Sequence, residues 1–201
     1  VALLKNIDKN INSEELKNVY LRHATIRHFY NKSTCDFNKE AFYTFFKLSS
    51  NIEDKKQVQR LLNDTKNINK GDKLPNFNVV SYAGVTKTSK ELINKQNCVL
   101  YFRNPTHYSD DWVAKRIGYL SNNNPSINII TINVTDNKDY SVTNLDINKQ
   151  YYLPTKSAAK QFLTSKYPRT ILVNKNGIIV NGFGALSSQK INQQIADLQK
   201  N

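Results

Sequence analysis

The sequence predicts an α/β fold in which helices flank a central mixed sheet and a helical extension precedes it. Residues 1–70 carry apolar side chains at helical spacing, whereas residues 71–201 alternate short apolar runs with further helical patterns. Gly71 and Pro75 separate the two parts, because both residue types interrupt regular structure. We therefore predict a helical N-terminal segment, residues 1–70, packed on an α/β domain formed by residues 71–201.

Three helices are predicted in the N-terminal segment. The first begins near Asn12, which is followed by Glu15 at the spacing of a capping box. The second spans residues 36–50 and the third spans residues 51–67. An aromatic run in the second helix, from Phe42 to Phe46, suits either a membrane-surface or ligand-binding helix or packing on the domain that follows. We favour packing.

The α/β domain shows the element order β, β-α-β, α, β-β, α, apart from one short helix. This order favours a parallel core with an antiparallel hairpin at one end. Asn176-Gly177 is a strong hairpin signal between the last two strands. Residues 136–150 are polar and are predicted as a loop. The predicted strands are 76–81, 98–103, 127–134, 169–173 and 178–183, and the predicted helices are 89–94, 110–121, 155–165 and 187–199.

The composition is typical of a globular protein with a core, since 39% of the residues are hydrophobic and 22% are charged. No apolar run reaches the roughly 18 residues of a membrane-spanning helix. The formal charge of +13 is spread along the chain, with 13 basic and 8 acidic residues in residues 1–70. A nucleic-acid binder usually concentrates its charge on one face, so no nucleic acid is expected as a partner. A solvated basic surface is the favoured interpretation, and weak association with an anionic membrane surface is the alternative.

The two cysteines, Cys35 and Cys98, form neither a Cys-x-x-Cys pair nor a zinc-binding spacing. Cys98 begins a continuous apolar run and is predicted to be a buried core residue. Cys35 lies in a predicted turn between helices, where a thiol could be exposed.

Several short sequences in residues 71–201 resemble the thioredoxin-like proteins of the TlpA and ResA kind. Gly71 to Phe77 resembles the opening Gly-x-x-x-Pro-x-Phe, and Val99 to Phe102 resembles the first central strand. Tyr167 to Val173 resembles the segment that contains the cis-proline, here Pro168. Asn174 to Ile179 resembles the hairpin after it. The preceding helices resemble the N-terminal extensions of Bacteroidetes members. The resemblance implies a thioredoxin-like fold and a periplasmic or cell-envelope location.

The sequence departs from that family at the redox centre. Counting from Phe102, the two cysteine positions fall on His107 and Asp110. Disulfide exchange needs an attacking thiolate and a second thiol to resolve the mixed disulfide. Imidazole and carboxylate cannot replace them, so no catalytic residue and no cofactor is assigned.

The resemblance instead predicts a binding site on the rim of the degenerate active site. Its candidate residues are His107, Tyr108, Asp110, Trp112, Tyr167 and Pro168. In the family the proline segment pairs with an extended peptide, and this surface could survive without thiols. The competing interpretations are that Pro168 only shapes a turn and that Trp112 belongs to the core.

A metal or acid–base site is less favoured at the same rim. Transition metals normally need three or four protein ligands. Besides His107, the only histidines are His23 and His28, in the helical extension. Ser109, Asp110 and Asp111 are better explained as a helix cap with carboxylates that the helix dipole favours.

The sequence therefore favours a redox-inactive module that binds a protein or peptide partner. It identifies neither the partner nor the oligomeric state of the chain. The competing hypothesis is a thiol–disulfide oxidoreductase that uses Cys35 or Cys98 in a non-standard or intermolecular centre. A third, weaker hypothesis is a polyanion or membrane-surface binder, whose binding salt would weaken steeply.

Overall fold

A computed structural model describes residues 1–31, 39–135, 140–165 and 168–200 of the chain. The α-helices in these ranges are α1 (Ala2–Asn10), α2 (Glu14–Asn31), α3 (Lys39–Leu48), α4 (Ile52–Asp64), α5 (Ser89–Ile93), α6 (Asp110–Asn123) and α7 (Lys190–Gln199). The strands are β1 (Asn78–Ser81), β2 (Thr86–Thr88), β3 (Cys98–Arg103), β4 (Asn128–Asn133), β5 (Gln150–Tyr152), β6 (Arg169–Val173) and β7 (Ile179–Gly184).

The strands form one mixed sheet in the order β2-β1-β5-β4-β3-β6-β7. The central strand β3 runs parallel to β4, from the pair Cys98↔Asn128 to the pair Arg103↔Asn133, and antiparallel to β6. β6 and β7 form the predicted antiparallel hairpin, and Gly177 supplies the positive φ of 79° at its turn. A second antiparallel pair, β1 with β2, lies at the other edge of the sheet and was not predicted. The predicted α/β class with a mixed sheet is confirmed.

Helices cover both faces of the sheet. Successive side chains of β3 point to opposite faces, so the strand contributes to an apolar cluster on each face. Leu100 and Phe102 join a buried cluster on the side of α5. Val99 and Tyr101 join a second cluster to which α6 and α7 contribute their apolar stripes. All six residues of β3 are buried, as expected for a continuous apolar run at the centre of a sheet.

The N-terminal helices form a third buried cluster, which includes Leu21, Phe42, Phe45 and Leu61. Phe42 and Phe45 of the aromatic run are buried in this cluster of the N-terminal helices, so they pack chiefly within that segment and not, as predicted, on the domain that follows; Tyr43 between them is 71% exposed. Helix α2 contacts β7 through the ring of Phe29, whose centroid lies 4.5 Å from that of Phe183 in an edge-on arrangement.

The start of α2 differs by one residue from the prediction. The backbone N–H of Lys17 donates to the carbonyl of Ser13 over 2.9 Å, and the N–H of Leu16 donates to the Ser13 hydroxyl over 3.4 Å. Ser13 therefore caps the helix in place of Asn12. The preceding helix α1 was not predicted, because its apolar pattern in the sequence is short. In the structure, Leu4 is its buried residue.

The predicted helix over residues 155–165 is wrong. This segment contains only the 3-10 helix Ala158–Gln161. Its later part bonds elsewhere, since the backbone N–H groups of Thr164 and Ser165 donate to the Asp64 carboxylate over 2.9 and 3.2 Å. Those groups are unavailable to an i→i−4 helix ladder. The loop predicted for residues 136–150 also ends earlier than expected, because Gln150 begins β5.

Candidate functional site

The predicted rim lies where β3 ends and α6 begins. Ser109 is the N-cap of α6, and its hydroxyl accepts a hydrogen bond from the Trp112 backbone N–H over 3.3 Å. Asp110 and Asp111 occupy the first turn, where the helix dipole favours negative charge. The helix-cap interpretation of these three residues is therefore confirmed. Of the two positions matched to the family's cysteines, His107 precedes the helix and Asp110 is its first residue.

Asp110 pairs with Arg103 at the end of β3. The guanidinium group of Arg103 is almost fully buried and donates to the Asp110 carboxylate. It also donates to the carbonyl of Tyr140 over 3.1 Å. An ionised, hydrogen-bonded partner is what a buried arginine requires. Asp110 thus anchors the base of the rim and does not line the cavity described below.

The rim surface is aromatic. The ring of His107 meets the ring of Tyr108 edge-on at 4.7 Å, and Tyr108 stacks on Trp112 at 4.2 Å between ring centroids. Trp112 is half-buried and packs against the cluster beneath α6. The Tyr108 hydroxyl donates to the Ser187 hydroxyl over 3.2 Å, which ties the rim to the segment after β7.

A cavity of about 740 Å³ lies between this rim and the N-terminal helices. That volume is typical of ligand pockets, which are roughly 300–1,000 Å³. One wall comes from the rim, β3, β6 and the segment after β7, and the facing wall comes from α1 and α2. The lining residues are Leu3, Ile7, Tyr20, His23, Ala24, Ile26, Arg27, Tyr101, His107, Tyr108, Pro168, Thr170, Ala185, Leu186, Ser187 and Ser188. We refer to this space as the rim cavity.

The structure brings three predicted site residues, His107, Tyr108 and Pro168, into the rim cavity. Asp110 and Trp112 support the rim from behind and are not among the lining residues. Tyr167 lies outside the described residues, as does the turn that contains Cys35.

Sequence reasoning missed the wall contributed by α1 and α2. Tyr20, His23 and Arg27 follow one another at i, i+3 and i+7, so they share one side of α2. This stripe was visible in the sequence as a helical pattern. Nothing in the sequence indicated that it faces the rim, because that depends on how α2 packs on β7.

An ion pair between α4 and β6 holds the residue that follows Pro168. Asp64 and Arg169 are both fully buried, and the distance from the Arg169 Nη2 to the Asp64 Oδ2 is 2.9 Å. The Arg169 guanidinium also lies 4.4 Å from the centroid of the Phe183 ring. The helical segment therefore holds the first residue of β6, next to Pro168, through a charged contact that water does not reach.

Burial sets the protonation of the groups around the rim cavity. Desolvation lowers the pKa of His107 below its ordinary value, so its imidazole is mostly neutral at pH 7. Burial raises the pKa of the Tyr101 hydroxyl, which has no hydrogen-bond partner among the described residues. Within the described part of the chain, no group of three or more potential metal ligands comes together.

Cys98 lies at the other end of β3 from the rim. Its side chain is fully buried, and its thiol is 3.3 Å from the carbonyl oxygen of Gln96. Burial raises the pKa of the thiol to about 12, which leaves almost no thiolate at neutral pH. The predicted role of Cys98 as a buried core residue is confirmed.

The sheet order, the flanking helices and the rim at the end of β3 define a thioredoxin-like fold, and solved structures agree with it. A thioredoxin-like protein from Bacteroides caccae matches with a TM-score of 0.57 at 15% identity, over 98% of this chain and 75% of that chain. A thiol:disulfide interchange protein from a Bacteroides species matches with a TM-score of 0.51 at 14% identity, over 67% of this chain and 93% of that chain.

The first of these likenesses extends over the N-terminal helices, because it covers almost the whole chain. No protein-family model matches the sequence. No curated protein is similar enough in sequence to match it either. No helix among the described residues is long and apolar enough to cross a membrane.

Proposed function

We propose that this chain is a redox-inactive thioredoxin-like protein that binds an extended segment of a protein or peptide partner in the rim cavity. The observation that carries the proposal is the cavity itself. It joins three residues of the degenerate active-site rim to an apolar wall of the N-terminal helices. A concave, largely apolar space with a few convergent polar groups is the usual form of a binding site.

The cysteine chemistry supports the same proposal. Neither matched position carries a thiol, and the Cys98 thiol is buried with a pKa of about 12. A thiol in that state is a poor nucleophile at neutral pH. The competing hypothesis, a thiol–disulfide oxidoreductase, then depends on Cys35 alone or on a cysteine of another molecule. A periplasmic or cell-envelope location belongs to the proposal as well, and it rests on the sequence resemblance.

Binding is tested by fluorescence anisotropy with labelled, carboxymethylated α-lactalbumin, which presents extended polypeptide. Ala24 lines the rim cavity, so Ala24→Trp fills it. We expect this change to weaken binding at least tenfold. Tyr43→Trp is the control, because Tyr43 is exposed on α3 and does not line the cavity. Equal binding by both variants and the unaltered chain would contradict a site in the rim cavity.

Redox inactivity is tested separately by dithiothreitol-driven insulin reduction. A Cys-x-x-Cys thioredoxin serves as the positive control and a variant with Cys35→Ser and Cys98→Ala as the negative control. We expect the unaltered chain to match the negative control. Activity that disappears in the variant would support the oxidoreductase hypothesis instead.

A further inference from the structure

The titratable residues described in the wall of the rim cavity are either neutral or positively charged. Among the described residues that line it, the ionisable nitrogen groups belong to His23, Arg27 and His107, and none carries a carboxylate. Arg27 is exposed and forms no ion pair within the described ranges of the chain. A cationic group without a partner beside an apolar surface favours a ligand that is both anionic and apolar.

Tyr101 provides a second, independent indication of a ligand. It is only 1% exposed, it belongs to the cavity wall, and its hydroxyl finds no hydrogen-bond partner in the described part of the chain. A buried hydroxyl without a partner is unfavourable, because it has given up its hydrogen bonds to water without gaining others. An oxygen atom of a bound ligand at this wall would supply the missing acceptor.

The segment after β7, which forms part of the cavity wall, is held in place before any ligand binds. Arg116 donates from its Nε to the carbonyl of Leu186 over 2.9 Å and from its Nη2 to the carbonyl of Ser188 over 3.1 Å. Tyr108 holds Ser187 from the other side. A preformed wall reduces the entropy that binding would otherwise lose.

The geometry points to the C-terminal residue of the partner as the occupant of the rim cavity, an inference that rests on the proposed function. On α2, Ala24 and Arg27 are three residues apart, so an apolar position and a guanidinium group lie side by side. A C-terminal residue with an apolar side chain presents a carboxylate and an apolar group on one Cα atom. The carboxylate pairs with Arg27, because guanidinium and carboxylate groups match in shape and charge.

Hydroxyl groups along the opposite wall favour a peptide over an aliphatic acid. Thr170, Ser187 and Ser188 lie there together with Tyr101. A hydrocarbon chain has no atoms that hydrogen-bond to such groups, whereas a peptide backbone carries a donor and an acceptor in each residue.

Two equimolar pools of random-sequence hexapeptides test the inference, one with free C-terminal carboxylates and the other with C-terminal amides. The immobilised 201-residue chain is exposed to each pool, and the retained peptides are identified by mass spectrometry. We expect peptides with an apolar last residue to be retained at least tenfold more from the carboxylate pool. Arg27→Gln should abolish this preference, and Tyr101→Phe should reduce it.

Arg60→Gln is the matched control, because it removes the same charge from an exposed position on α4 that does not line the rim cavity. It should keep the preference, which separates a local carboxylate contact from the overall charge of +13. Circular dichroism establishes that each variant is folded.

The remaining outcomes distinguish the two proposals. Equal retention from both pools, lost in Ala24→Trp, would overturn the carboxylate contact and leave peptide binding in the rim cavity intact. Retention from neither pool would overturn both. Calorimetric binding of dodecanoate without retention of any peptide would also overturn both and assign the cavity to an aliphatic acid.

Discussion

Asp64 at the end of α4 and Arg169 at the start of β6 form an ion pair in which neither side chain is exposed. The same carboxylate accepts hydrogen bonds from the backbone of Thr164 and Ser165 and from the Thr164 hydroxyl, over 2.6 Å in the last case. One buried carboxylate therefore holds both Thr164–Ser165 and the first residue of β6. It also holds the N-terminal helices to the sheet.

Removal of that carboxylate should destabilise the fold. Asp64→Ala leaves Arg169 buried without its counter-ion, and a change of this kind costs about 3–5 kcal/mol. Urea unfolding followed by circular dichroism measures the loss. Asp111→Ala is the control, because its pair with Lys115 is largely exposed and should leave the unfolding midpoint almost unchanged. Similar midpoints for both variants would contradict the buried pair.

The Cys98 thiol should resist modification in the folded protein. With a pKa of about 12, its thiolate fraction at pH 8 is about 10⁻⁴. In a Cys35→Ser variant, we expect Ellman's reagent to react with Cys98 only as fast as the protein opens, and to react at once in 6 M guanidinium chloride, roughly the concentration that unfolds ordinary domains. Rapid reaction under native conditions would refute the buried position.

The same thiol should make stability depend on alkaline pH. Its pKa rises from 9.0 in the unfolded chain to about 12 in the folded protein, so only the unfolded chain releases the proton between these values. The contribution of Cys98 to the free energy of unfolding is thus fully present below pH 9. Between pH 9 and about 12 it decreases by about 1.4 kcal/mol per pH unit. The difference in unfolding free energy between the unaltered chain and Cys98→Ala should narrow as pH rises from 9 to 11. A constant difference would contradict the assignment.

Two glycine substitutions should have opposite effects. A Cβ atom at Gly182 in β7 would clash with the carbonyl oxygen of Ile68, whereas a Cβ at Gly118 in α6 would have no described atom within 4 Å apart from its chain neighbours and the backbone of its own helix. Gly182→Ala should therefore lower the free energy of unfolding by about 1–3 kcal/mol, since backbone must shift. Gly118→Ala should raise it by about 0.5–1 kcal/mol through helix propensity. Thermal unfolding of both variants measures whether each substitution lowers or raises the free energy of unfolding.

The central sheet was predictable because its strands carry strong local signals. The bounds of β3 follow from an uninterrupted apolar run, and the β6–β7 turn follows from Asn176-Gly177. The short strand β5 carries no such signal. Its Gln150 is buried through side-chain hydrogen bonds to the backbone of Val142, a contact that no periodicity reveals.

The rim was predictable in part for a different reason. Its position follows from counting along the chain from Phe102, because the rim residues from His107 to Trp112 lie within ten residues of it. The wall opposite the rim depends on the contact of Phe29 with Phe183, between residues far apart in sequence. Local patterns predict which face of α2 is apolar, but they do not predict what that face packs against.

The rim cavity has one wall from α1 and α2, near the start of the chain, and a facing wall from residues between Tyr101 and Ser188. Docking of α1 and α2 on the sheet and occupancy of the cavity are therefore linked equilibria. A partner that contacts both walls must stabilise the docked helices by the same free energy with which docking strengthens partner binding. Under the proposed function the helical extension is thus a component of recognition, because a fragment that begins at Gly71 would possess the rim without the pocket.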